Sequence, residues 1–129
     1  MIEWQLTTDS PRCLNFRVRN RLDWLTGSAF VANDSVQCFL YHNNGYGAFS
    51  EVGLVAGVGF NEHGKTFAGM GTDFNDYDND GNPDIVVTDL SDERYMLFHN
   101  NGDGRFPDST NQSGVGGATL SFAGWSAFL

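Results

Sequence analysis

The stretch DYDNDGNPD, residues 76–84, gathers the carboxylates of Asp76, Asp78, Asp80 and Asp84 with no lysine or arginine among them. Two bare carboxylates held ~4 Å apart at an effective dielectric near 20 repel by roughly 4 kcal/mol. A compact loop with four converging carboxylates therefore calls for a cation. The spacing indicates which one. Asp76, Asp78 and Asp80 fall at the first, third and fifth positions, Gly81 comes next where a sharp turn is needed, Asn82 can turn its backbone carbonyl inward, and Asp84 adds a fourth carboxylate. Calcium takes about six to eight hard oxygen ligands, and this order copies the first half of a calcium loop. An EF-hand would need a glutamate at the twelfth position and flanking helices, but that position is Val87 inside an apolar run. The reading is a strand-to-strand calcium loop, with Ca2+ as cofactor and Asp76, Asp78, Asp80, Asn82 and Asp84 as metal residues. Magnesium and a plain solvated turn are the alternatives.

Other chemistry is less well supplied. Glycosidic catalysis sets two carboxylates ~5 to 9.5 Å apart across a substrate. Aspartates wound around one turn share a single focus instead, so no catalytic residue is assigned. GFNEHGKT, residues 59–66, satisfies the phosphate-loop pattern GxxxxGK(S/T). That loop needs a helix immediately after it to face the phosphates. The next residues in the chain, FAGMGTDFNDYDNDG, are rich in glycine and negative charge, so no nucleotide is expected. His42 and His99 each precede NNG at the end of a strand run, which suits a structural place in a hairpin. His63 sits in a polar loop and reads as solvated.

The elements that position the loop come from a repeat. LYHNNGYGAFSEVGLVAGVG from Leu40 aligns with LFHNNGDGRFPDSTNQSGVG from Leu97 at a constant offset of 57, and TFAGMGTDF resembles SFAGWSAFL near the end. Such a period indicates blades or stacked repeats. PDIVVTDL and RYMLFHN alternate and are rich in strand formers, and NNG supplies residues for positive φ in hairpins. Counting FAGMGTDF, PDIVVTDL, RYMLFHN and GRFPDS gives four short strands per repeat, the mark of a β-propeller blade. The expected fold is all-β: a propeller segment of about two blades of four-stranded antiparallel sheet. Residues 67–109 form a complete blade, 22–53 a partial one and 120–129 the first strand of a third, while 1–21 are poorly assigned. Propellers close with about four to eight blades, so the chain reads as a piece of a longer protein, with another aspartate loop expected just beyond Leu129. Trp24, Tyr41, Phe49, Phe98, Phe106 and Trp125 are the expected core aromatics between blades.

Composition narrows the partners. Sixteen acidic against seven basic residues give a net charge of −9, which disfavours nucleic acid and anionic membrane surfaces. An aromatic content of 14% and a hydrophobic fraction of 40% in 129 residues argue for a single folded unit. No apolar run approaches the ~20 residues of a membrane span, and MIEWQLTTDS does not read as a signal peptide. Cys13 and Cys38 read as unpaired small hydrophobes, though an oxidising compartment would let them pair. NDS at Asn33 and NQS at Asn111 match the glycosylation pattern.

With FAGMGTDFNDYDNDGNPDIVVTDL, LFHNNGDGRFPDSTNQSG and LYHNNGYGAFSEVGLVAG in view, residues 22–129 resemble the FG-GAP/VCBS repeat family, nearest its bacterial members related to ASPIC/UnbV and cartilage acidic protein. The resemblance implies a calcium-bearing propeller module on a secreted or surface protein. Its role would be adhesion, or binding of a protein or carbohydrate ligand, against neighbouring blades and without enzymatic activity. It carries calcium ligation onto Asp76, Asp78, Asp80, the Asn82 backbone and Asp84. The rival expectation is a propeller-borne hydrolase or lyase whose catalytic residues lie elsewhere. Aligning Asp23 with Asp84 puts Asn15, Arg17, Arg19 and Arg21 at the positions of Asp76, Asp78, Asp80 and Asn82, which predicts a dead site in the first repeat.

Overall fold

The computed structural model describes residues 27–124 in full and residues 12–16 through their backbone. Two antiparallel sheets succeed one another along the chain. The first has the order β1 (Arg12–Phe16), β2 (Ala29–Asn33), β3 (Phe39–Gly45), β4 (Ala48–Glu51), and the second β5 (Gly71–Asn75), β6 (Asp84–Thr88), β7 (Met96–Phe98). Each strand pairs with the next in sequence, as short turns dictate. The fourth strand expected in the second sheet is reduced to a bridge between Phe98 and Asp108. Its ladder survives as His99 N–H to Pro107 O at 3.0 Å and Ser109 N–H to Leu97 O at 2.8 Å. β1 lies within the segment that the sequence leaves poorly assigned, and it completes a four-stranded first sheet.

β2 and β6 are the inner strands, buried along their whole lengths. The run of isoleucine and valines in β6 suits a strand covered on both faces. Phe30, Ala32 and Leu40 from the first sheet meet Ile85, Val87, Met96 and Phe98 from the second in one core, closed by Phe67 and Phe106. Phe98 and Phe106 are thus core residues as expected, Tyr41 and Phe49 are only half-buried, and Trp24 and Trp125 lie outside the described residues. Cys38 is free and buried, and burial pushes its thiol up to about 11. Asn33 is buried too, with its amide donating to Gln37 O at 2.6 Å, so NDS is not presented as an acceptor, whereas Asn111 is exposed.

Two single-turn helices, α1 (Gly53–Ala56) and α2 (Val115–Thr119), have no periodic signal because neither is long enough to show one. Residues 61–66 form a turn around Asn61, whose side chain accepts the N–H groups of His63 and Lys65, both at 3.0 Å. No helix comes after them, so the geometry that the phosphate-loop letters require is not built. Of the third-blade strand expected at 120–129, residues 120–124 are not in a strand and the remainder lies outside the described residues.

The sheets join closely at Gly69. Its N–H donates to Asn33 O at 3.2 Å, and Ala68 forms a bridge with Asp34. A Cβ on Gly69 would stand 3.0 Å from the Ala32 Cβ and 3.2 Å from the Val87 Cγ1. Gly69→Ala is therefore expected to destabilise the protein by about 1–3 kcal/mol through overpacking, measured by urea unfolding.

Two acids are buried among the described residues, Asp84 and Asp89. Asp89, at the end of β6, is fully buried, and burial together with the neighbouring Glu93 carboxyl raises its pKa from 3.8 to about 7. The folded chain holds this proton where the unfolded chain has released it, so stability contributed by Asp89 is present below pH 3.8 and lost as pH rises towards 7. Urea midpoints are expected to fall across that window in the wild type and to flatten in Asp89→Asn.

Candidate metal centre

The loop joining β5 to β6 is built by its own carboxylates. Asp76 Oδ1 accepts the Asp80 N–H at 3.0 Å and its Oδ2 the Gly81 N–H at 2.9 Å; Asp80 Oδ1 accepts the Asn82 N–H at 2.7 Å. These bonds coil the chain inward, with Asn79 at φ 59° and Gly81 at φ 92° taking the left-handed conformations that the coil demands. Glycine takes that region at no steric cost, and asparagine is among the side chains that tolerate it.

Asp84 closes the loop from below. It opens β6, is fully buried, and accepts the Tyr77 N–H at 3.1 Å and the Asn100 N–H at 2.8 Å. Asn100 returns the grip by donating its side-chain amide to Pro83 O at 2.9 Å and accepting the Gly102 N–H at 2.8 Å. The first Asn of HNNG is therefore a bracket between hairpin and loop, a role beyond the turn chemistry its sequence suggests. Gly102 permits the approach, since a Cβ there would sit 3.1 Å from Asn82 Oδ1.

Four of the five residues expected from the sequence fall into two overlapping groups, one of which includes a residue that the sequence places elsewhere. Ligand atoms of Asp76, Asp78 and Asp84 lie within 4.8 Å of one another, as do those of Asp78, Asp80 and His99. His99 Nδ1 stands 3.0 Å from Asp84 Oδ1 and 3.4 Å from Asp78 Oδ2, and Nε2 stands 3.8 Å from Asp80 Oδ2. None of these is aligned as a hydrogen bond, and buried Nδ1 has no such partner. Tyr77 packs edge-on to the imidazole at 6.1 Å. The HNNG motif marks His99 in sequence, but the contact crosses from hairpin to loop, where no local spacing can reveal it.

The electrostatics are those of a site short of positive charge. Burial raises the pKa of Asp84, against the opposing pull of the Asn100 and Tyr77 N–H groups and of His99. Burial and the charges of Asp78, Asp84 and Asp80 raise that of Tyr77. Asp80 is held low, chiefly by the N–H of Asn82.

The first sheet carries the same bracket around a different residue. Asn43 N–H donates to Ser28 Oγ at 3.1 Å, Asn43 Oδ1 accepts the Gly45 N–H at 2.9 Å, and His42 Nδ1 lies 3.4 Å from Ser28 Oγ. Strand register agrees: Phe30 pairs with Leu40 as Val86 pairs with Leu97. Ser28, not Asp23, thus takes the place of Asp84. Asn15 is no loop residue either, since it lies in β1 opposite Phe30. The positions of Arg17, Arg19 and Arg21 fall outside the described residues.

Residues 76–128 match the family model described as an FG-GAP-like repeat. Over that stretch, less than half of the chain, the sequence is similar to an FG-GAP-like repeat. Repeats of this family form β-propeller blades, and the match begins at Asp76, the first residue of the loop. The fold is accordingly all-β, a propeller segment. The comparison with curated proteins gave no match. Among the described residues, no helix is long and apolar enough to cross a membrane.

Asp84 and Asp80 should differ sharply when no divalent ion is supplied. In chelator, Asp84→Ala leaves the Tyr77 and Asn100 N–H groups without their acceptor and is expected to lose about 1–3 kcal/mol. Asp80→Asn, at an exposed position that keeps an acceptor oxygen for Asn82, should leave the melting temperature nearly unchanged by circular dichroism.

Proposed function

We propose that the chain is a calcium-binding segment of a β-propeller with an adhesive or ligand-binding role, and that calcium locks the turn between β5 and β6. The observation that carries the reading is the convergence of Asp76, Asp78 and Asp84 within 4.8 Å around one buried carboxylate. The donor set fits a hard cation: carboxylates of Asp76, Asp78, Asp80 and Asp84, with the backbone carbonyl of Asn82 available on the same turn. Bound calcium would supply positive charge and oxygen coordination. The chain's own residues do the positioning, since the N–H groups of Asp80, Gly81 and Asn82 hold carboxylates of the loop in place before any ion arrives.

Several features favour this reading over an enzyme. The carboxylate oxygens of Asp76, Asp78 and Asp84 lie within 4.8 Å of one another, closer than the ~5 to 9.5 Å that glycosidic chemistry spans. The other buried acid, Asp89, lies at the far end of β6, about 17 Å away at strand rise. A surface or secreted location accords with the same reading, because extracellular calcium modules work at about 10⁻⁴ to 10⁻³ M free ion. The partner would be a protein or carbohydrate bound by the assembled propeller.

A second metal reading rests on Asp78, Asp80 and His99, a mixed oxygen and nitrogen set that suits zinc better than calcium. The two are separable by thermal unfolding. Calcium at a hundredfold excess over its Kd is expected to stabilise the wild type by about 2.7 kcal/mol, with Asp78→Ala abolishing the effect and His99→Gln retaining it. Stabilisation by zinc that is lost in His99→Gln, with no response to calcium, would replace calcium by the second reading.

A further inference from the structure

A second polar site lies away from the loop. A cavity of about 370 Å³ opens between the turn 61–66 and the second sheet, with Asp89, Glu93, Phe67 and Met96 among its walls. Asp89 Oδ1 accepts the Leu90 N–H at 2.9 Å, and Glu93 Oε2 accepts the Ala68 N–H at 3.0 Å. Each carboxyl has thus committed one oxygen to the backbone. Asp89 Oδ2 is buried without a hydrogen-bond partner, and its side chain is fully shielded from solvent. A buried acceptor left unpaired costs roughly 1–3 kcal/mol, more when charged, so the position calls for a donor.

Within the chain the partner is the neighbouring Glu93 carboxyl, which can share a proton but brings no positive charge. Among the described residues no lysine or arginine forms an ion pair with Asp89 or Glu93. Arg94 is turned to the rim, where Nη1 donates to Asn111 Oδ1 at 2.7 Å. No third acid, histidine or cysteine among the described residues joins the pair to make a metal cluster. An anion would be repelled, and a neutral alcohol could donate a hydrogen bond but not offset the charge. Phe67 and Met96 are both buried beside the pair, which gives an alkyl stem an apolar wall.

We propose that this cavity is a binding site for a primary alkylammonium group, its N–H donors on the Asp89 and Glu93 carboxyls and its stem along Phe67 and Met96. The ammonium replaces the proton that the pair shares in its absence, and that proton passes to the buffer. The site is independent of the calcium loop, so either can fail while the other stands.

The test is NMR titration of the whole chain with n-pentylammonium and, in a parallel arm, with Nα-acetyl-lysine methylamide. Tighter binding of the first points to a free amine, and of the second to a lysine side chain. Either is expected to shift the Leu90 and Ala68 amides, to release a proton near neutral pH by calorimetry in buffers of different ionisation enthalpy, and to bind more tightly above pH 7. Glu62, His63, Lys65, Arg94 and Asp108 also face the cavity, and His63→Gln should leave that pH dependence in place. Glu93→Gln, at an exposed position that should not disturb folding, is expected to weaken binding about tenfold or more, the loss of a charge-assisted hydrogen bond; Asp89→Asn should do the same. Equal shifts from n-pentanol or from the Nε-acetylated lysine analogue, undiminished binding to Glu93→Gln, or unmoved Leu90 and Ala68 amides would overturn the proposal.

Discussion

A carboxylate buried at the start of β6 sets the terms for everything around it. Asp84 is removed from water, and an isolated charge in that position is costly unless it is hydrogen-bonded and paired. Two backbone N–H groups, from Tyr77 on one side and Asn100 on the other, supply the hydrogen bonds and in doing so tie the aspartate loop to the next hairpin. They do not supply a full positive charge. Asp76, Asp78, Asp80 and His99 lie beside it in two groups that share Asp78, so the loop, the hairpin and the inner strand share one electrostatic problem, and a cation is its simplest solution.

The first sheet shows the same bracket with that problem removed. Ser28 stands where Asp84 does, bonded by Asn43 as Asp84 is bonded by Asn100. A hydroxyl needs no counter-ion, so this copy can hold its hairpin without a metal. The shared HNNG motif is thus a mechanical element, and the residue it grips is a hydroxyl in the first copy and a carboxylate in the second.

Much of this was legible in the chain itself. The alternating aspartates and Gly81 specified the loop and its candidate ligands because those residues are neighbours, and the offset of Leu40 and Leu97 exposed the repeat. What spacing could not show were contacts made across elements. His99 reaches the loop from a hairpin, and Ser28 is matched to Asp84 by strand register while the nearest aspartate in sequence, Asp23, invites a false alignment. In the sequence Asp89 falls at the end of the strand run PDIVVTDL, and no spacing signal links it to Glu93. Only the fold reveals that the first is buried and the second is turned towards it.

β6 therefore opens on one buried acid and is followed by another, the first facing a loop of carboxylates and the second a partly apolar cavity. The two ends have different demands, and the calcium account concerns the first. Its most direct measurement is the stoichiometry of calcium binding by equilibrium dialysis of the whole chain at millimolar free ion. The account predicts one calcium per chain, because only the second of the two brackets holds a carboxylate. No bound calcium, or two equivalents per chain, would contradict it.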